Sequence, residues 1–230
     1  MTDILGVIGG MGPMAGVYFC ELVTGMTAAS SDSEHLNMIL YSLPKVPDRT
    51  AFLLGRVKES PAESIIGIGN SLVEQGCRVI AVPCVTSFAL YDEFAPKIDA
   101  DVIHMPDETA AYLASLGVRK AGVLATAGTV STGIFTNSCS KYGIETVIPD
   151  DDNQSAVMSV IYDQVKAGLP VDTAVFGRVC DHLLGRGAEK LILGCTELSL
   201  VFRGAHPEFC VDALEVLARA SILKMGKQVR

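Results

Sequence analysis

Apolar residues collect into short, uniformly hydrophobic runs rich in β-branched side chains, separated by longer stretches in which polar residues recur at helical spacing. The runs ILGVIGG (4–10), LNMILYS (36–42), RVIAVP (78–83), DVIHM (101–105), AGVLAT (121–126), ETVIP (145–149) and KLILG (190–194) predict strands. Strands apolar at almost every position have both faces covered, so this alternation predicts an α/β fold with mostly parallel sheets flanked by helices. One helix start is explicit. Ser60-Pro61-Ala62-Glu63 supplies an N-cap hydroxyl, a proline at the first helical position and a glutamate three residues on, and Gly76 supplies a left-handed stop.

The pattern repeats within the chain. LGVIGGMGP (5–13) resembles AGVLATAGT (121–129), with Gly6 and Gly12 matching Gly122 and Gly128. GCRVIAVPCVT (76–86) resembles GAEKLILGCTE (187–197), each opening glycine lying eight residues before a cysteine, Cys84 or Cys195. Two half-length units thus share a first loop and a later cysteine loop in the same order. They predict two pseudo-symmetric α/β domains, 1–100 with 206–230 and 101–205. Ligands of open α/β sheets bind at the carboxyl ends of strands, so an active site in a cleft between the domains is expected.

Composition narrows the function. A net charge of −8 disfavours nucleic-acid or acidic-membrane partners, and no apolar run approaches a membrane span, which leaves the cytoplasm as the expected location. Seven cysteines without CxxC pairs or Cys/His clusters argue against a disulfide framework or a structural metal. Cys20, Cys77, Cys139, Cys180 and Cys210 are expected as small core residues.

A thiol at the junction of a strand and a helix faces unpaired backbone N–H groups, which favours its thiolate and makes it a usable base. No histidine adjoins either cysteine loop, so a nucleophile–base pair is not indicated. Two such thiols on symmetric domains suit a different scheme, in which one removes a proton from carbon and the other delivers one to the opposite face. Arg49, at a turn after the second predicted strand, is a candidate carboxylate clamp or a helix cap; Lys166, at a helix end, is a candidate cation or a dipole partner. The loop Gly9-Gly10-Met11-Gly12 and the pair Thr126 and Thr129 offer N–H and hydroxyl donors to an anion.

The segments GVIGGMGPMAG, PKVPDRT, VPCVTS, VLATAGT, VKAG and LILGCTELSLV, which span nearly the whole chain, resemble the cofactor-independent aspartate/glutamate racemases. The resemblance implies racemisation of an acidic amino acid, usually by a homodimer, without pyridoxal phosphate or metal. It implies Cys84 and Cys195 as the acid/base thiols and Arg49 and Lys166 as the cations for a substrate carboxylate. Met11, Val85, Thr86, Thr126, Thr129, Thr196 and Glu197 would complete the pocket. The chain departs from that family's Pro-Cys-Asn-Thr-Ala-His pattern at Val85 and Phe88, and has Leu43 where an asparagine is common, so an amide and an imidazole are absent. Substrate identity is open there, with maleate-isomerase-like or hydantoin-racemase-like chemistry as alternatives on the same two thiols. Two remoter readings are an NAD-dependent dehydrogenase, from the fingerprint Gly10-Met-Gly-Pro-Met-Ala15, and a non-catalytic module that binds a dicarboxylate.

Overall fold

Each predicted apolar run becomes a strand, and every strand pairing in the two sheets is parallel. The computed structural model describes residues 4–203 and 205–230. The strands are β1 (Ile4–Gly9), β2 (Asn37–Ser42), β3 (Cys77–Ala81), β4 (Asp101–Val102), β5 (Lys120–Leu124), β6 (Glu145–Val147), β7 (Lys190–Leu193) and β8 (Cys210–Asp212). They form two four-stranded sheets of identical order, β2-β1-β3-β4 and β6-β5-β7-β8. The internal repeat read from the sequence is therefore a repeat of topology as well.

The chain divides into a unit of Met1–Met105 with Leu214–Arg230 and a unit of Pro106–Ala213. β8 has no counterpart among the predicted runs. It lies in the stretch 206–230 that the sequence reading places with the first domain, yet it hydrogen-bonds to β7 in the second sheet, with Leu191 opposite Cys210. Only the pairing to β7 defines the strand.

Burial explains the uniform apolarity of the central strands. In β1, Leu5, Val7 and Ile8 are fully buried, as are Leu191 and Ile192 in β7, because helices cover both faces. Removing each such side chain from water contributes about 1.5–3 kcal/mol. The helix Pro61–Glu74 starts as expected: the Ser60 hydroxyl accepts from the Ala62 N–H at 3.2 Å, and Pro61 fills the first turn. The helix ends at a Gly76 of φ +92°. All seven cysteines are free; Cys77, Cys139, Cys180 and Cys210 are buried and Cys20 is half-buried. No helix among the described residues is long and apolar enough to cross a membrane.

Candidate active site

β1 lies between β2 and β3, and β5 between β6 and β7, so the strand order of each sheet reverses beside its first strand. Open α/β sheets take their ligands at the carboxyl ends of the strands flanking such a reversal. In the first unit β1 delivers Gly10 and Met11 to that position and β3 delivers Cys84. In the second, β5 delivers Thr126 and β7 delivers Cys195. The Gly194 N–H donates to the Leu124 carbonyl at 2.8 Å, which holds the ends of β5 and β7 side by side. Gly194 is needed there, since a Cβ would lie 2.5 Å from the Phe135 ring and 3.2 Å from Ala125 Cβ.

In the first unit the glycine loop is fixed by backbone. Gly10 has φ +98°, and a Cβ on it would fall 2.4 Å from the backbone of Leu43. The Leu43 N–H donates to the Gly9 carbonyl at 3.2 Å. Leu43 thus acts through its main chain, where an asparagine side chain is common in the pattern that the sequence resembles. Arg49 opens the helix Arg49–Leu53, whose N-cap Asp48 accepts from the Ala51 N–H at 2.7 Å. The guanidinium is buried and donates to the carbonyls of Pro47 at 3.1 Å, Val46 at 3.3 Å and Met11 at 3.3 Å. The fork is thereby tied to the glycine loop, and its helix packs against the 3₁₀ turns Val85–Leu90 that follow Cys84.

Cys84 is 4% exposed. Its N–H donates to the Val82 carbonyl at 2.7 Å, and its own carbonyl accepts from the Ser87 hydroxyl at 2.6 Å, so the loop is pinned on both sides of the thiol. No hydrogen bond to its Sγ occurs among the described residues. Val85, Thr86 and Phe88 are buried around it in sequence. Phe88 meets the rings of Tyr91 at 5.8 Å and of His104 at 5.2 Å, so an aromatic contact stands where an imidazole belongs in the resembled pattern. An imidazole does lie beside position 88, but it comes from the segment after β4.

The second unit gathers four of the residues singled out in the sequence into one chain of contacts. Cys195, 6% exposed, donates its S–H to Glu197 Oε2 at 2.9 Å. Lys166 Nζ contacts Glu197 Oε1 at 2.5 Å, and the Thr196 hydroxyl donates to Glu197 Oε2 at 3.3 Å. Lys166 follows a π-helical stretch, Val160–Val165, and its ammonium sits 5.5 Å from the centre of the Tyr162 ring. Thr126 caps the helix Ala127–Ser131 by accepting from the Thr129 N–H at 3.2 Å, with the two hydroxyls 3.1 Å apart.

The electrostatics at Cys195 differ from the sequence expectation of a favoured thiolate. Burial pushes this thiol well above its ordinary range, the charge and hydrogen bond of Glu197 push it further, and the Lys166 charge opposes them only in part. Burial alone would also raise Glu197. The Lys166 charge, with hydrogen bonds from Cys195, Lys166 and its own backbone, instead holds that carboxyl below the usual range. The helix end is outweighed first by burial and then by Glu197, which sits on the same first turn, two residues from the sulfur.

Three participants had little signal in the sequence. Ser87 braces the Cys84 carbonyl; Gln154 donates to the Ala125 carbonyl at 2.9 Å; and Met158 Sδ accepts from the Ala127 N–H at 3.1 Å. Only Ser87 stood in a recognised motif. No group of three or more His, Cys, Asp or Glu residues among those described is arranged to hold a metal.

Two units of one topology, each with a parallel sheet and a thiol where β3 or β7 ends, match the two-domain α/β fold of racemases, a class of isomerases. The chain belongs to the Asp/Glu/Hydantoin racemase family, whose model matches residues 8–221. Its structure is similar to that of Picrophilus torridus aspartate racemase, with a TM-score of 0.85 and 33% identity, covering 99% of this chain and 96% of that one. An uncharacterized protein encoded in the pnlA 3′ region of Pectobacterium carotovorum subsp. carotovorum is 30% identical over 135 residues, 57% of this chain and 90% of that protein. The glutamate racemase of Corynebacterium glutamicum is 26% identical over 145 residues, 60% of this chain but only 50% of that enzyme. The glycine fingerprint that suggested a dinucleotide falls within the stretch matched by the family model. Pro13 in the first turn of the helix Pro13–Met26 removes an N–H that a bound pyrophosphate would use.

Proposed function

We propose that this protein is a cofactor-independent racemase of an acidic amino acid, aspartate before glutamate, in which Cys84 and Cys195 exchange the α-proton. The observation that carries this reading is the repeated placement of a buried thiol at the carboxyl end of β3 and of β7, beside the strand reversal of each sheet. The preference for aspartate rests on 33% identity to an aspartate racemase over 99% of the chain. The reading requires both switch points to face one substrate.

In the forward step one thiolate takes the α-hydrogen as a proton, the electron pair passes into the carboxylate, and the opposite thiol protonates the other face. The doubly charged intermediate needs cations and N–H donors set in place beforehand. Arg49 and Lys166 supply the charge. Backbone N–H groups of the loops at Met11, Val85 and Thr86, with the hydroxyls of Thr126, Thr129 and Thr196, supply donors. Neither pyridoxal phosphate nor a metal takes part, and the working form is a homodimer, as the family resemblance implies; the cytoplasm is its proposed location.

The test is a panel of L- and D-aspartate and glutamate in deuterated water, followed by chiral separation and mass analysis. Racemisation with α-deuterium uptake is expected, fastest for aspartate. Absence of α-exchange in every acidic amino acid would sink the reading. Val85, 2% exposed and unable to pair through its side chain, makes maleate and a substituted hydantoin necessary arms of the same panel.

A further inference from the structure

Cys84 and Cys195 occupy the same place in two units of the same topology, but among the described residues only Cys195 touches a carboxylate. Cys195 donates to Glu197 at 2.9 Å, and Glu197 is kept anionic by Lys166 at 2.5 Å. The charged groups acting on the Cys195 thiol are Glu197 and Lys166. Tyr162, on the π-helical stretch packed against the helix Thr196–Phe202, faces the ammonium. The Cys84 loop contains no acid from Pro83 to Tyr91, and no carboxylate accepts from its sulfur among the described residues.

We infer that Glu197 pins a proton on Cys195, so that the resting protein holds Cys195 as its acid and Cys84 as its base and takes first the enantiomer whose α-hydrogen faces Cys84. This rests on the racemase reading and gives it a direction. In that first half-cycle the Cys84 thiolate accepts the α-proton, the electron pair moves into the substrate carboxylate, and the Cys195 S–H gives its proton to the opposite face. Cys84 then holds the proton and Cys195 is the thiolate. One proton must return from Cys84 to Cys195 through solvent before the same enantiomer is taken again. Glu197 speeds that return, because an anion 2.9 Å from the sulfur makes the Cys195 thiolate a strong proton acceptor. Glu197 is a positioning residue here, holding a proton on the group that reacts.

Both cysteines are nearly equally enclosed as residues, at 4% and 6% exposure, and what sets Cys195 apart is the carboxylate on its sulfur. The ion pair of that carboxylate with Lys166 keeps it charged throughout the neutral range, which makes the bias a standing property of the protein.

The experiment is carbamidomethylation by iodoacetamide at a series of pH values, read by peptide mass spectrometry on the full-length wild type and on Glu197→Gln. Access scales the labelling rate of a thiol but does not move its pH midpoint, so the midpoint is the readout. In the wild type, Cys195 should label with a midpoint at least one pH unit above that of Cys84, about a tenfold difference in thiolate fraction at a given pH. Glu197→Gln should bring the Cys195 midpoint down and leave that of Cys84 in place. Equal midpoints in the wild type, or an unmoved Cys195 midpoint in Glu197→Gln, would overturn the inference. The wild-type comparison decides alone if the variant does not fold. Because labelling needs no turnover, failure of the racemase reading shows separately, as absence of α-exchange in the substrate panel.

Discussion

The two cysteine loops leave equivalent strands yet are built differently. After Cys84 the chain makes 3₁₀ turns, Val85–Leu90, whose side chains are mostly apolar or aromatic. After Cys195 it makes the α-helix Thr196–Phe202, which begins with a threonine and an acid. The glycine loops diverge in the same way. Gly10 of the first unit corresponds by the repeat to Thr126 of the second. The first loop passes a glycine against the Leu43 backbone, and the second caps its helix with a hydroxyl. A shared topology therefore fixes where a group emerges, while local composition sets its charge and proton affinity.

The largest effect that separates chemistry from packing is on turnover. Cys84→Ser and Cys195→Ser should each lower the racemisation rate by about 10²–10⁴-fold, the usual worth of one acid/base group, while substrate binding changes little. Ligand-shift calorimetry beside chiral assay checks both halves. If both variants lose no activity, neither loop is chemical.

Backbone comes next. Gly10→Ala should destabilise the protein by about 3 kcal/mol, since the new Cβ meets Leu43 main chain at 2.4 Å and φ is +98°. Thr126→Ala, at the corresponding place, removes a cap and should cost only about 1 kcal/mol. Urea titration of the two variants measures the gap, and equal losses would mean that the loops are not built differently.

Lys166→Met tests the ion pair that the second loop carries. It leaves Glu197 buried beside a thiol with no cation, and should cost about 2 kcal/mol at neutral pH, less than a fully buried pair because Lys166 is 26% exposed. The sign with pH is defined. The Glu197 carboxyl is held low in the folded state, so the stability it contributes is present above the ordinary carboxyl range and is lost as pH falls through its folded value. The difference between wild type and variant should therefore shrink on acidification, as thermal unfolding at several pH values would show.

Alkali should distinguish the units. Burial raises Cys139 to about 11, and Cys180 and Cys210 to about 12, and all three lie in the second unit. The unfolded chain loses these protons near pH 9 while the folded chain keeps them. Stability is full below pH 9 and falls above it, by up to about 1.4 kcal/mol per thiol per pH unit. Hydrogen exchange at pH 10 should show opening first in Pro106–Ala213. Uniform opening would contradict the assignment.

Much of the candidate site was legible from position. Cys84 and Cys195 stand at the ends of apolar runs eight residues after a glycine, and a repeated spacing survives in the sequence whatever the fold does with it. The cap at Ser60 and the stop at Gly76 are written within a few residues and appear as read. Ser87, Gln154 and Met158 were not legible as participants, because each acts on a backbone group whose position depends on distant segments. β8 was missed for a related reason: it is defined by its pairing to β7.

By itself, the sequence determined the α/β alternation, the two repeated units, the family and the two thiols, since hydrophobic period and local spacing are properties of the chain before it folds. Only the tertiary structure decided the state of the Cys195 thiol. Lys166, Glu197 and Cys195 are assembled from a π-helical turn and a separate strand end, and their contact in a buried setting reverses what a helix terminus alone would favour at Cys195. Proton affinity depends on distances and on exclusion of water, and both come into being when distant segments pack.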